Sequence, residues 1–160
     1  MRLTSQTNYA VRMLMFCHSK GERATVREIA AFYGLPERFL FNILQKLTAA
    51  GFVETIRGRG GGIRLARPAS RIRLGDVVRD VEETFELAEC FEAGGTDCPL
   101  IHTCGLNKAL SEALGSFFEA LNRYTIADLT GSEYNIDVLM RLSQAIIAPP
   151  AGRHGRPAGK

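Results

Sequence analysis

The sequence predicts a mainly α-helical chain, with three helices and a two-stranded hairpin in the first half and a long helix in the second. Three observations predict it. Apolar residues recur at helical spacing through residues 5–47, an arginine- and glycine-rich turn splits two short β-prone runs at 52–65, and a second helical stripe runs through 106–124.

Thr4 or Ser5 can cap a first helix reaching about Ser19, with Tyr9, Val11, Met13, Leu14 and Phe16 in its apolar face. Lys20-Gly21-Glu22 ends it. Thr25-Val26-Arg27-Glu28 is a capping box, in which the hydroxyl takes an orphan amide while the carboxylate reaches back. The short helix it opens stops near Gly34. Pro36 suits the first turn of a third helix, whose Leu40, Ile43, Leu44 and Leu47 make one stripe, and Ala49-Ala50-Gly51 closes it.

Strands at Phe52–Ile56 and Ile63–Leu65 flank Arg57-Gly58-Arg59-Gly60-Gly61-Gly62. Helix, helix, helix, basic hairpin is the order of a winged helix-turn-helix, in which a helix enters the major groove and the hairpin meets the adjacent backbone or minor groove.

A short helix follows around Leu74 to Val81, then an acidic stretch holding cysteines, then a long helix over roughly Asn107 to Arg123. Leu106, Leu110, Ala113, Phe117, Leu121 and Tyr124 form one face of it, and Leu114 and Phe118 a second flank. So broad an apolar face suits two packing partners: its own domain and the same helix of a second subunit. The other reading buries the helix inside a monomer. Thr125-Ile126-Ala127-Asp128 resembles another capping box, ahead of a last helix through Ile136, Leu139 and Met140. The expected organisation is a DNA-binding domain at 1–75, a cysteine segment and dimerisation helix at 76–142, and a tail at 143–160. The last part of that tail is too rich in Pro, Gly, Arg and Ala to build a core, so disorder is expected there.

A chain of 160 residues has room for one domain, or a small domain plus an extension for oligomerisation. No apolar run reaches the roughly 18–20 residues of a membrane span. Tyr9–Cys17 is apolar but carries Arg12 and no small-residue cleavage site, so no signal peptide is expected and the chain should stay in the cytoplasm. Structural disulfides are rare there, and the four cysteines are better read as thiols or metal ligands.

The net charge of +3 conceals a division: residues 1–75 hold 13 Lys/Arg against 4 Asp/Glu, and residues 76–147 hold 4 against 13. The first half is therefore suited to a polyanion; the other reading is solvated surface in a self-attracting dimer. The glycine-rich turn lacks the Lys-Ser/Thr of a nucleotide-binding loop and opens no helix. What remains is a turn with Arg57, Arg59 and Arg64 around it that can approach DNA phosphates or enter a narrow minor groove; the other reading is an exposed basic turn with no partner. On the third helix, Arg38, Phe41, Asn42 and Gln45 lie away from the leucine stripe. Arg38 suits guanine, Asn42 or Gln45 adenine, and Phe41 a thymine methyl.

Cys90 and Cys98 are separated by seven residues, Cys98 and Cys104 by five, with Gly94-Gly95 and Pro99 between them. Three thiolates on such a loop suit an iron–sulfur cluster with one position open. Zinc with His102 as fourth ligand is a second reading, and redox-active thiols a third; the spacing leaves all three open. Cys17, in the apolar first helix, reads as a packed thiol. The histidines stand apart at 18, 102 and 154 with no carboxylate grouping, which argues against an enzyme.

MRLTSQTNYAVRMLM, FLFNILQKL and VETIRGRGGGIRL together resemble the bacterial winged-helix iron–sulfur transcription regulators (IscR/NsrR/RirA-like). CFEAGGTDCPLIHTCGLNKAL and FFEALNRYTIADL are most similar to the rhizobial iron-regulator branch, and the likeness runs from Met1 to about Leu142. The resemblance implies a cytoplasmic homodimer crossed by its long helices, bound to a double-stranded DNA operator. It also implies a cluster, 4Fe–4S before 2Fe–2S, on Cys90, Cys98 and Cys104, whose loss relieves repression of iron-uptake genes. The family's wing arginine falls on Arg57 and its recognition-helix contacts on Arg38 and Phe41. Two departures stand out. Asn8 replaces an aspartate that can supply the fourth cluster ligand in nitric-oxide sensors, and a neutral amide is a poor iron ligand. Phe41 replaces an acidic residue that can accept from cytosine, so the operator should differ.

Overall fold

The computed structural model of the chain describes residues 2–58, 60–91, 97–100 and 102–131. Helix α1 spans Ser5–Lys20, α2 Val26–Tyr33 and α3 Glu37–Ala49; strands β1 (Val53–Ile56) and β2 (Gly62–Leu65) follow, then α4 (Leu74–Val81) and α5 (Gly105–Leu121). Short 3-10 turns lie at Ala69–Arg71, Glu89–Phe91 and Asp128–Thr130. This is the mainly helical, two-stranded winged architecture expected of the sequence.

Local chemistry sets the boundaries. Thr4 caps α1, its hydroxyl accepting from the Thr7 amide at 3.3 Å. The capping box of α2 is complete: Thr25 Oγ1 accepts from the Glu28 amide at 3.2 Å and Glu28 Oε2 accepts from the Thr25 amide at 2.7 Å. Pro36 stands one position earlier than expected, as the N-cap of α3, where its fixed φ leads the chain in and no side chain takes the first amides. Thr125 and Asp128 do form a reciprocal box, at 2.7 and 3.3 Å, but it opens only a 3-10 turn. The expected last helix and the tail lie outside the described residues.

Met13, Leu14, Ile29, Leu40, Ile43, Leu47, Phe52, Ile63, Ile72, Val77, Val81 and Ile126 share one core. The α3 stripe read from the sequence is buried in full. In α1, Met13, Leu14 and Phe16 are buried while Tyr9 and Val11 pack at its edge. The chain returns to this core after α5: Leu74 donates its amide to Tyr124 O at 2.9 Å, and Ile126 donates to Ile72 O at 2.9 Å.

Strands β1 and β2 pair antiparallel, with Glu54 opposite Arg64 in an ion pair. A further bridge joins β2 to the α1–α2 connection, where Ile63 donates to Ala24 O at 2.6 Å and Ala24 to Ile63 O at 2.9 Å. Helix α5 packs on the rest of the molecule chiefly through Phe118 near its C-terminal end. Phe118 packs edge-on against Phe85, with ring centroids 4.9 Å apart, and under the Arg79 guanidinium at 4.4 Å. Phe118 is the only buried residue of α5, and Leu106 is 63% exposed. Among the described residues, the rest of its apolar face is left largely uncovered.

Candidate nucleic-acid interface and cysteine segment

Burying Leu40, Ile43, Leu44 and Leu47 turns the other face of α3 outward. Arg38, Phe41, Asn42 and Gln45 are all exposed, as spacing required, and Phe41 stands 49% accessible. An aromatic ring so placed at the head of a helix is costly in water, and contact with a base edge would cover it.

Arg57 leads out of β1 into the wing turn and is exposed; Arg59 lies outside the described residues. Gly58 and Gly60 adopt φ of +96° and +75°, the left-handed region that glycine enters without a Cβ penalty. The Gly61 amide donates to Gly58 O at 2.8 Å and closes the turn. Of the wing arginines, Arg64 is held by Glu54 and Arg67 lies over the Phe52 ring at 4.9 Å. Arg57 is left as the described wing guanidinium placed to reach outward. The exposed α3 residues and the wing belong to consecutive elements, α3 packing directly against β1, the order in which a recognition helix and a wing meet major groove and flanking backbone.

The cysteine segment leaves α4 under two anchors that sequence reading missed. Glu82 Oε2 accepts from the Thr4 amide at 2.9 Å, and Glu83 Oε1 accepts from Lys46 Nζ at 2.8 Å. The first ties the segment to the start of α1, the second to the last turn of α3. Lys46 holds the exposed Glu83 carboxyl below its ordinary range, by hydrogen bonding and then by charge.

Cys90 lies on the 3-10 turn at Glu89–Phe91, and its sulfur accepts from Asn107 Nδ2 at 3.2 Å. Asn107 sits in the first turn of α5, and Cys104 is the N-cap of that helix, its carbonyl accepting from the Lys108 amide. Positions three apart are neighbours on a helix surface, so Cys90 and Cys104 are both brought to the head of α5. That head presents amides without side-chain caps, where negative sulfur is favoured. Cys98 and His102 are exposed on the connecting loop, and Asn8 is exposed on α1. Among the described residues, no three His, Cys, Asp or Glu side chains stand close enough together to share a metal ion.

These thiols fit an iron–sulfur group by donor chemistry and by placement: soft sulfur, outside the core, two of three gathered at one helix head. Cys17 contrasts with them. It is buried in α1, and burial pushes its thiol up to about 12, with Lys20 pulling weakly the other way.

Comparison with known proteins finds relatives along nearly the whole chain. The family profile described as Rrf2, an iron-dependent transcriptional regulator, matches residues 3–132. Protein aau3 of Rhizobium meliloti (strain 1021) is 58% identical over 147 residues, covering 91% of this chain and 96% of that protein. The HTH-type transcriptional regulator NsrR of Geobacillus kaustophilus is 42% identical over 143 residues, 88% of this chain and 97% of the relative. Among solved structures, T. potens IscR superposes with a TM-score of 0.61 at 25% identity, over 81% of this chain and 85% of that one.

Proposed function

The chain belongs to the Rrf2 family of DNA-binding transcriptional regulators, and on that premise we propose that it is an iron-responsive repressor sensing through Cys90, Cys98 and Cys104. The observation that carries this reading is the position of the three thiols. They lie on the stretch that joins α4 to α5, anchored to α1 and α3 at one end and to the head of α5 at the other.

Cys90, Cys98 and Cys104 would hold an iron–sulfur cluster, 4Fe–4S before 2Fe–2S, with the fourth position open and Asn8 or His102 the weak candidates within this chain. Such a group, when bound, supplies lability toward iron supply. The rest is done by protein. Helix α5 lays its uncovered apolar face against its counterpart in a second subunit, making a homodimer that spans two half-sites of an operator. Two half-sites lie about 34 Å apart on one face of the duplex, so small changes in the separation of the α3 helices alter affinity. A compact segment between Glu83 and Asn107 sets that separation, because it is tied to α3 through Lys46 and to the dimer helix through Asn107. A slack segment leaves the α3 helices free to drift.

The likeness to NsrR regulators favours a second reading, in which the same thiols report nitric oxide or redox state. A zinc-stapled binder without sensing is a third. Anaerobic purification with absorption spectroscopy, followed by operator titration under iron chelation and under nitric oxide, decides among them. Straw-brown protein that loses operator affinity on chelation supports iron sensing. Loss only under nitric oxide supports the second reading, and colourless, zinc-containing protein the third.

A further inference from the structure

The wing stands over open space. Between it and the end of α1 lies an open cavity of about 1340 Å³, lined by Cys17, His18, Arg23, Gly60, Leu65 and Ala69 among others, so the tip of the hairpin is not packed directly on the core. What reaches across is Arg23, in the α1–α2 connection. Its Nη1 donates to Gly60 O at 2.6 Å, a charge-assisted bond to the backbone of the turn itself. The neighbouring Ala24 bridges to Ile63 at the root of β2. Gly62 fits between them because it has no side chain: a Cβ there would stand 2.7 Å from Ala24 O and 3.2 Å from Arg23 Cβ.

We infer that Arg23 is a positioning residue for DNA recognition, holding the wing turn so that its arginines face the duplex. This rests on the reading of the hairpin as a DNA-contacting wing. The Ala24–Ile63 bridge fixes the base of the hairpin, and Arg23 fixes its tip. With the tip released, Gly58 and Gly60 allow the turn to explore many conformations, and the order lost there must be restored on binding. Arg23 acts through Arg57 and its neighbours and adds no nucleic-acid contact of its own.

The test uses the full-length protein and a labelled random-sequence duplex of about 30 base pairs, long enough for two half-sites. Arg23→Ala should weaken binding roughly threefold to tenfold, the range of one lost charge-assisted bond at an exposed site. Arg23→Lys, which keeps a donor of similar reach, should recover part of the loss. In a chain already carrying Arg57→Ala and Arg59→Ala, the turn itself has no cation left to position, Arg64 and Arg67 being held by Glu54 and Phe52, and Arg23→Ala should then change affinity less than twofold. Full additivity of the two changes would mean that Arg23 touches phosphate directly, and would overturn the proposal. A readout without DNA separates this from failure of the DNA-binding reading. In the free protein, the Gly61 amide should exchange faster in Arg23→Ala while core amides of α1 keep their protection. Unchanged Gly61 exchange would overturn the proposal even if DNA affinity fell.

Discussion

Gly75→Ala offers a test in which two effects predict opposite signs. Gly75 lies in the first turn of α4, and glycine in a helix costs roughly 0.5–1 kcal/mol relative to alanine, so propensity alone says the substitution stabilises. Packing says otherwise. A Cβ at Gly75 would stand 2.7 Å from Asn122 Cγ and 3.1 Å from Phe118 O, with the Asn122 Oδ1 atom also in its path. Ordinary carbon contacts begin near 3.5 Å, so something must move. Phe118 O cannot shift without α5, because it accepts from the Asn122 amide at 2.9 Å. Moving α5 would loosen the Arg79–Phe118 stacking and the Leu74–Tyr124 bond that hold the joint. Overpacking of this kind costs typically 1–3 kcal/mol, which at mid-range exceeds the propensity gain. Mid-range values of about 2 and about 0.75 kcal/mol leave about 1.2 kcal/mol, so at about 2–4 °C per kcal/mol for a chain of this size the melting temperature should fall by roughly 2–5 °C. Thermal melts by circular dichroism at fixed protein concentration measure it. Asn122→Ala in the same chain removes most of the obstruction and should return at least about 1 kcal/mol. A Gly75→Ala protein as stable as the parent, or a double variant with no recovery, would refute the packing argument.

Other outcomes follow from the same structure. Arg57→Ala should lower operator affinity and reduce the slope of log K against log salt by about 1, measured by anisotropy titration over a salt series. Asn42→Ala should cost about 1–3 kcal/mol on the preferred operator and relax base preference at one position, read by competition with single-base variants. Alkylation of metal-free native protein by iodoacetamide should give adducts at Cys90, Cys98 and Cys104 and spare Cys17, whose thiol burial keeps protonated; mass spectrometry reads the sites. Burial alone would raise the Glu28 carboxyl, but hydrogen bonds from Lys20 and Thr25 outweigh it and hold the group below its ordinary 4.5. The stability from that depression is present above pH 4.5 and lost as pH falls through the folded-state value, so Glu28→Gln should flatten the acid limb of a stability–pH curve.

Much of this was legible in the chain because it rests on local chemistry. The Thr25–Glu28 box, the α3 stripe and the glycine-rich turn each declare themselves within a few residues. Helix α5 starts two positions before the expected Asn107, since Cys104 caps it without a side-chain hydrogen bond and the apolar periodicity begins only at Leu106. The Thr125–Asp128 box was legible but not its consequence. Within the described chain it closes a turn in which Thr130 Oγ1 donates back to Ile126 O at 3.1 Å. What the sequence could not reveal is contact at long range. Arg23 to Gly60, Lys46 to Glu83 and Thr4 to Glu82 span 37 to 78 residues, and no local pattern marks either partner. The cysteines were legible as a set by residue type, whereas the gathering of Cys90 and Cys104 at the head of α5 depends on Asn107, a residue with no signature of its own.

The most direct test of the account is operator affinity measured on one anaerobic preparation before and after its iron is withdrawn. Sulfur-bound iron on the α4–α5 connection should be detected, and chelation should weaken operator binding by about tenfold or more, within the usual range of coupling between two sites. Protein that takes up no iron under reconstitution, or that holds the operator equally well with the metal gone, would contradict it.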